Sequence, residues 1–410
     1  APTTYQNELK LNQTEQRWSG RTTIAIVATM GGQGLGAAAQ LSPAILAVQI
    51  AAEADLSPSL VGVYTGLVFF AAAISALGGG GLVGRYGGIT AVRIGVGISC
   101  VGCVLAAIGH PVSLVASAIA IGLGYGPMTP ASSVILSRWS PENRLGLIMS
   151  IKQTGVPIGY FLASLTMPAL QSTIGWQASL LCLAGVCFVA LLAMRQAARL
   201  LDEPGPSIGS GFTSARLSLG LLKQNPYLRK IALASLAFAG VQVAVTSFLV
   251  VYLEDSIGLS KQLAALPLAV AGITAIFGRI AWGWLADTTS TARLLTVLPV
   301  LMAGALCVLL AADANWDVFL LGGLGVVLGL SVLAWNGVML YETARRAPPG
   351  QVGLATSGVL ALTFFGSTVF PQTLSIIVSG TGSYQVGFIA MTCVCIVVTM
   401  AYFRDAVTKK

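Results

Sequence analysis

The chain has 410 residues, 55% of them hydrophobic and only 9% charged, with a mean hydropathy of +0.84. A soluble domain is nearer 25% charged, so the composition excludes an ordinary soluble enzyme or nucleic-acid-binding module and points to a membrane protein. The formal net charge of +8 then needs a topological explanation.

A membrane-crossing helix takes about 20 apolar residues. Apolar runs fall at 22–50, 59–80, 89–108, 112–136, 145–170, 176–194, 230–253, 263–285, 294–312, 316–341, 352–378 and 384–403, which makes twelve spans. Residues 1–21 are polar and lack the short apolar core of a cleavable leader, so they read as a cytoplasmic tail. Pro43, Pro127, Pro130, Pro157 and Pro267 lie within the runs and are expected to kink or shorten them. The longest connection, 195–229, is a cytoplasmic linker between an N-terminal six-helix bundle at 22–194 and a C-terminal one at 230–403. Within it, 215–224 reads as a short helix lying at the membrane surface. A cytoplasmic tail at 404–410 ends the chain.

With the N-terminus inside, nineteen of the 22 lysines and arginines fall on the cytoplasmic side and one, Lys261, on the other. Lys152 and Arg279 lie within spans. This positive-inside bias places both termini in the cytoplasm, in a bacterial-type inner membrane. It accounts for the net charge without any nucleic-acid partner. The opposite loops are acidic, with Glu53, Asp55, Glu254, Asp255, Asp313 and Asp317.

The seven cysteines lie mostly in apolar runs, and the one histidine, His110, falls in a loop. No metal or cofactor site is expected from such a set. Gly62/Gly66, Gly155/Gly159 and Gly325/Gly329 have GxxxG spacing and read as helix-packing contacts.

The two halves echo each other. The loop after span two reads Gly80-Gly81-Leu82-Val83-Gly84-Arg85-Tyr86-Gly87, and the loop after span eight reads Gly283-Trp284-Leu285-Ala286-Asp287-Thr288. Both resemble the signature loop of the major facilitator superfamily, G-x-L-A-D-R-x-G. The first keeps the arginine but has Gly84 for the aspartate; the second keeps the aspartate but has Thr288 for the arginine. The resemblance implies an all-α membrane protein of twelve transmembrane helices in two pseudo-symmetric six-helix bundles. The bundles rock around a central site, and the protein is usually a monomer. It also implies that Arg85 and Asp287 belong to a cytoplasmic latch.

Two cations enter the membrane. Arg279 stands in the segment 278–287, GRIAWGWLAD, about six residues from the end of its run and so roughly 9 Å inside it. Lys152 is about seven residues into span five, roughly 10 Å deep from the same side. No Asp or Glu falls well inside any run; Glu342 is at the inner end of span ten. Burying two cations without an acid is costly unless an anion, water or carbonyl groups compensate. A carboxylate substrate fits, and arginine offers a planar fork that matches it.

Span eight sharpens this. Ile276-Phe277-Gly278-Arg279 with Gly283 is similar to helix eight of monocarboxylate transporters and of the bacterial oxalate–formate exchanger, where the arginine binds the substrate carboxylate. Monocarboxylate transporters have an aspartate where this chain has Ala275, and a lysine in helix one that is absent here. The oxalate exchanger has a lysine in helix eleven; here Lys152 in span five is its pseudo-symmetric counterpart. The alternative role for Arg279 is a gate residue bonded to backbone carbonyls.

Spans one, four, seven and ten line the cavity in this family, which makes Gln33, Tyr125, Gln242, Trp335 and Asn336 further substrate-binding candidates. The expected function is transport of a small organic anion by alternating access, with a coupling proton or counter-anion as a second partner. The alternative is an exporter of apolar drugs or metabolites. A membrane enzyme would need a catalytic constellation that one loop histidine does not supply, and a sensor would need an added soluble domain.

Overall fold

The computed structural model describes residues 18–54, 60–203 and 211–408. Lys10 and Arg17 of the tail, Asp55, residues 204–210, Lys409 and Lys410 lie outside them. Among the described residues every regular element is helical.

Among the described residues eleven helices are long and apolar enough to cross a membrane. Span one is Gly20–Ile45, span two Val61–Tyr86 and span three Gly88–Ala107. Span four is split into Pro111–Tyr125 and Met128–Trp139, and span six is Trp176–Leu201. Span seven is Pro226–Val251, span eight Lys261–Thr288 and span nine Thr291–Leu310. Span ten is split into Val318–Ser331 and Asn336–Arg346; span eleven is Val352–Thr381 and span twelve Tyr384–Thr408. The remaining crossing, span five, is two helices, Leu145–Gln153 and Gly155–Ile174, joined at Thr154. A linker helix, Gly211–Gln224, precedes span seven.

Local chemistry sets the ends. Ser19 and Thr22 form a reciprocal capping box that starts span one. Asn225 accepts from the amides of Tyr227 and Leu228, with Pro226 at the first helical position of span seven. Asp317 caps span ten through Leu320. Of the prolines expected to disturb spans, Pro127 and Pro157 stand at breaks. Pro43 lies just before the end of span one, Pro130 in the first turn of Met128–Trp139, and Pro267 inside an unbroken helix.

Burial divides into two main cores. One draws on residues between Leu222 and Tyr402. The other draws on residues between Ala25 and Leu201 and is joined by Leu340, Ala344, Leu360 and Phe364 of the second half. The spacing motifs pack as glycine allows: Gly155 and Gly159 sit against the backbone of Met30 and Gly34 in span one, and Gly325 and Gly329 against span eight. A Cβ on Gly62 would meet none of the described atoms within 4 Å.

The two halves meet closely at the end that carries the chain termini and the lysine- and arginine-rich connections, here called the basic face. Span eight runs along the Leu145–Gln153 helix there and touches Gly155–Ile174 far less. Toward the acidic face a crevice of about 480 Å³ separates the halves, lined by Thr65, Gly66, Phe69, Ser247, Ser367 and Gln372 among others from spans two, seven and eleven.

Candidate functional site

The candidate residues gather at helix breaks. Tyr125 ends one half of span four and Thr129 lies in the first turn of the other; between them Pro127 has no N–H to continue the ladder. Lys152 and Gln153 end the first half of span five. Pro157, four residues after Gln153, cannot donate to the Gln153 carbonyl, which is left for another donor. Span ten breaks over residues 332–335, just before Asn336. Non-helical backbone at membrane depth is tolerated where protein or a cavity satisfies it.

Arg279 does so for two of these breaks. It is 4% exposed, and its Nε donates to the Leu333 carbonyl at 3.1 Å. Its Nη1 donates to the Gln153 carbonyl. One guanidinium thereby joins span ten of the second half to span five of the first. A guanidinium has five N–H donors, so three are not used by these bonds.

Lys152 is 1% exposed. Its Nζ lies 3.3 Å from Gln153 Oε1 and 3.5 Å from Thr129 Oγ1, both long contacts for an ammonium. The two cations are within electrostatic reach of each other, and Arg279 is within reach of Tyr125 and Tyr160. Among the described residues neither cation has a carboxylate partner; Glu203 pairs with Arg138 and Glu342 with Arg346 instead.

Polar side chains surround the pair. Gln33 is buried beside the Tyr125 hydroxyl, and its Oε1 has no partner. The Tyr160 hydroxyl donates to Gln40 Oε1 at 2.8 Å, leaving Gln40 Nε2 without a partner. In the second half Trp335 Nε1 donates to Gln242 Oε1 at 2.8 Å, and the indole packs edge-on against Phe238. Asn336 Oδ1 is buried without a partner. Buried polar atoms are rarely left unpaired in a finished structure. Those of Gln33, Gln40 and Asn336 mark open hydrogen-bonding positions.

Aromatic rings connect this cluster to the crevice. Phe69 lines the crevice, Phe364 lies 6.4 Å from it centroid to centroid, and Tyr125 lies 5.8 Å from Phe364.

The latch candidates part company. Asp287 accepts from the amides of Gly146 and Leu147 at 2.7 and 2.8 Å. It thus caps the first turn of the Leu145–Gln153 helix from the opposite half, where an anion meets the positive helix end. Arg85 is exposed and lies over the Tyr86 ring, with no bond to Asp287. On that side Gly80 makes the contact between halves: a Cβ there would come 3.0 Å from Leu354.

Three residues stand out more in the structure than in the sequence. Tyr160, on the second helix of span five, reaches Gln40 of span one. Gln153 supplies both a carbonyl to Arg279 and an amide oxygen to Lys152. Glu342 is a buried carboxylate after all, 1% exposed, held by the Tyr227 hydroxyl and Arg346 and not by either buried cation.

Comparison with known proteins agrees with this architecture. The sequence pattern of the Major Facilitator Superfamily matches residues 22–371. The chain is 28% identical over 134 residues to "Probable anion transporter 3, chloroplastic" of Arabidopsis thaliana, covering 32% of this chain and 26% of that one. It is 28% identical over 141 residues to "Probable anion transporter 4, chloroplastic" of Oryza sativa subsp. japonica, covering 33% and 24%. The matched stretch thus spans about a quarter of these curated relatives. Among solved structures it is similar to the human organic anion transporter MFSD10, with a TM-score of 0.75, 12% identity and coverage of 93% and 99% of the two chains. It is also similar to the proton:xylose symporter XylE, with a TM-score of 0.69, 18% identity and coverage of 94% and 95%. These likenesses show the fold.

Proposed function

The chain belongs to the Major Facilitator Superfamily, whose members are transporters and not enzymes, and on that premise we propose that it moves a small organic anion, a carboxylate, by alternating access. The observation that carries this reading is the pair of buried cations without a carboxylate. Burying an ion costs several kcal/mol after relaxation. Two carbonyl dipoles offset part of that for Arg279; Lys152 has only long contacts. An incoming carboxylate 4 Å from either cation gains about 4 kcal/mol at an effective dielectric of 20. The unused N–H groups of Arg279 and the Lys152 ammonium are the donors for it. Tyr125, Gln33 and Asn336 orient the remainder of the substrate, while Gln242 holds Trp335 as an apolar wall. The plant relatives named as anion transporters lend support. The monocarboxylate or oxalate–formate type is the subtype this favours.

In this reading the basic face is cytoplasmic, both termini lie inside a bacterial-type inner membrane, and the protein works as a monomer. The bundles 22–194 and 230–403 rock about the linker 195–229, with Asp287 as a latch. A proton or counter-anion couples the movement.

The test is thermal unfolding of purified protein against mono-, di- and aromatic carboxylates, on the native chain and on Arg279→Gln and Lys152→Gln. A ligand at 100 times its Kd stabilises the native state by about 2.7 kcal/mol. The expected result is stabilisation by one carboxylate class that either substitution abolishes. No response in the native chain, with stabilisation by neutral apolar compounds instead, would favour an exporter of apolar drugs or metabolites.

A second reading has its own observation. The Arg279 bonds run to carbonyls in opposite halves, as in a residue that holds the gate. Carboxylate stabilisation that survives Arg279→Gln but not Lys152→Gln would assign Arg279 to the gate and Lys152 to the substrate.

A further inference from the structure

Span two contains four consecutive glycines, at 78–81, and two hydroxyls from other elements enter the helix there. Ser214 Oγ of the linker helix accepts from the Gly81 amide at 2.9 Å and donates to the Leu77 carbonyl at 3.2 Å. Leu77 C=O and Gly81 N–H are the pair that an α-helix joins directly, so the serine lies across one rung of the ladder. One residue earlier, Ser357 Oγ of span eleven accepts from the Gly80 amide at 2.9 Å.

The glycines are what allow this approach. A Cβ on Gly79 would come 3.2 Å from Ser357 Oγ, and one on Gly80 would come 3.0 Å from Leu354. Both serines are fully buried. The linker helix is tied to the second half twice over. It runs into span seven through Asn225, and its Leu222 and the Ser218 carbonyl pack on Gly358 of span eleven. The Ser214 side chain fastens it to the first half.

We propose that the linker helix is a strap that holds the basic face shut, with the hydroxyls of Ser214 and Ser357 seated in the glycine run of span two as its two catches. In a transporter of two rocking bundles the halves part at this face, and both catches must then release. Their chemistry suits repeated release. When Ser214 withdraws, Leu77 C=O and Gly81 N–H pair with each other, so no backbone group is orphaned in the helix. A neutral hydrogen bond contributes little net stability, enough to bias an equilibrium without freezing it. The inference rests on two-bundle movement and not on the substrate, so its failure would leave the anion reading standing.

Hydrogen–deuterium exchange of the full chain in lipid nanodiscs, without ligand, tests it. The reporter is remote: the amides of Gly146 and Leu147, which Asp287 holds across the same face between spans five and eight. In Ser214→Ala and in Ser357→Ala they should exchange about fivefold faster, the effect of losing one neutral hydrogen bond from the closed state. A purely local anchor would speed exchange in the linker helix and span two and leave 146–147 unchanged; that result overturns the proposal. The opposite constraint is a disulfide between cysteines at Gly78 and Gly211, where a Cβ on Gly78 would lie 3.8 Å from Gly211 Cα. Oxidised Gly78→Cys/Gly211→Cys protein should protect 146–147 beyond the native chain, and reduction should restore the native rate. Equal exchange in the oxidised and reduced forms would also overturn it. Should Ser214→Ala not fold, Ser357→Ala and the disulfide pair carry the same test.

Discussion

At the scale of single residues, what was legible in the sequence was charge in the wrong solvent. Arg279 and Lys152 stand out because a cation in an apolar run is rare and costly, whatever its neighbours prove to be. What surrounds them was not legible, because carbonyl partners carry no residue signature. Nothing in a sequence says that Gln153 and Leu333 turn their backbone oxygens toward one guanidinium. Glu342 shows the same limit from the other side. It stands near the end of its run, where an acid reads as solvated, yet Tyr227 and Arg346 close over it. The geometry separates charge from shape at position 279. Arg279→Lys keeps the charge but offers a single ammonium to two carbonyls in opposite halves. Each hydrogen bond involving a charged group contributes about 1.5–3 kcal/mol, so losing one of the two should lower stability by roughly that much. Carboxylate-induced stabilisation should shrink without vanishing, whereas Arg279→Gln should abolish it. Thermal unfolding with and without the carboxylate that stabilises the native chain reads both effects.

At the scale of the element, prolines in the spans pointed to distortion, and the outcome depended on what waited for the freed carbonyl. Pro267 sits in a continuous helix, while Pro157 follows a true break. The difference has a partner behind it: the carbonyl four residues before Pro157 is taken by Arg279. Proline in a helix interior costs about 3 kcal/mol relative to alanine, so the local sequence itself favours the break in span five. Pro157→Ala should therefore raise the unfolding temperature of the ligand-free protein, since residue 157 regains an N–H for Gln153. The same change draws the carbonyl away from Arg279, shifts Lys152 with it, and should weaken carboxylate binding about tenfold, an effect of roughly 1.4 kcal/mol. Stability rising while affinity falls is the signature to seek. A variant that is more stable and binds equally well would mean that the break has no part in the site.

At the scale of the molecule, the twelve-span architecture was readable because hydropathy and charge asymmetry survive without any tertiary information. The state of the transporter was not. Which end is shut depends on contacts between halves that no single run encodes, such as Asp287 on a helix end more than a hundred residues away. Span two illustrates this along its own length. Toward the basic face its glycines are filled by the other half, with Gly80 against Leu354 and Gly353. Toward the acidic face a Cβ on Gly62 would meet none of the described atoms within 4 Å and one on Gly66 only the end of Gln372, in the wall of the crevice. The same helix is packed at one end and bare at the other, and movement between two such states would exchange the ends. Two wedges then give opposite results. Gly80→Val drives a branched side chain into backbone and should favour opening at the basic face with closure of the crevice. A Cβ on Gly62 meets none of the described atoms within 4 Å in the present state, so Gly62→Val should obstruct closure and hold the crevice open. A cysteine at Ser247, exposed in the crevice, reports which occurs. Its labelling by a small maleimide should slow in the Gly80→Val background and stay as fast or faster in Gly62→Val. Labelling that moves in the same direction in both would mean that span two does not pivot between these packings.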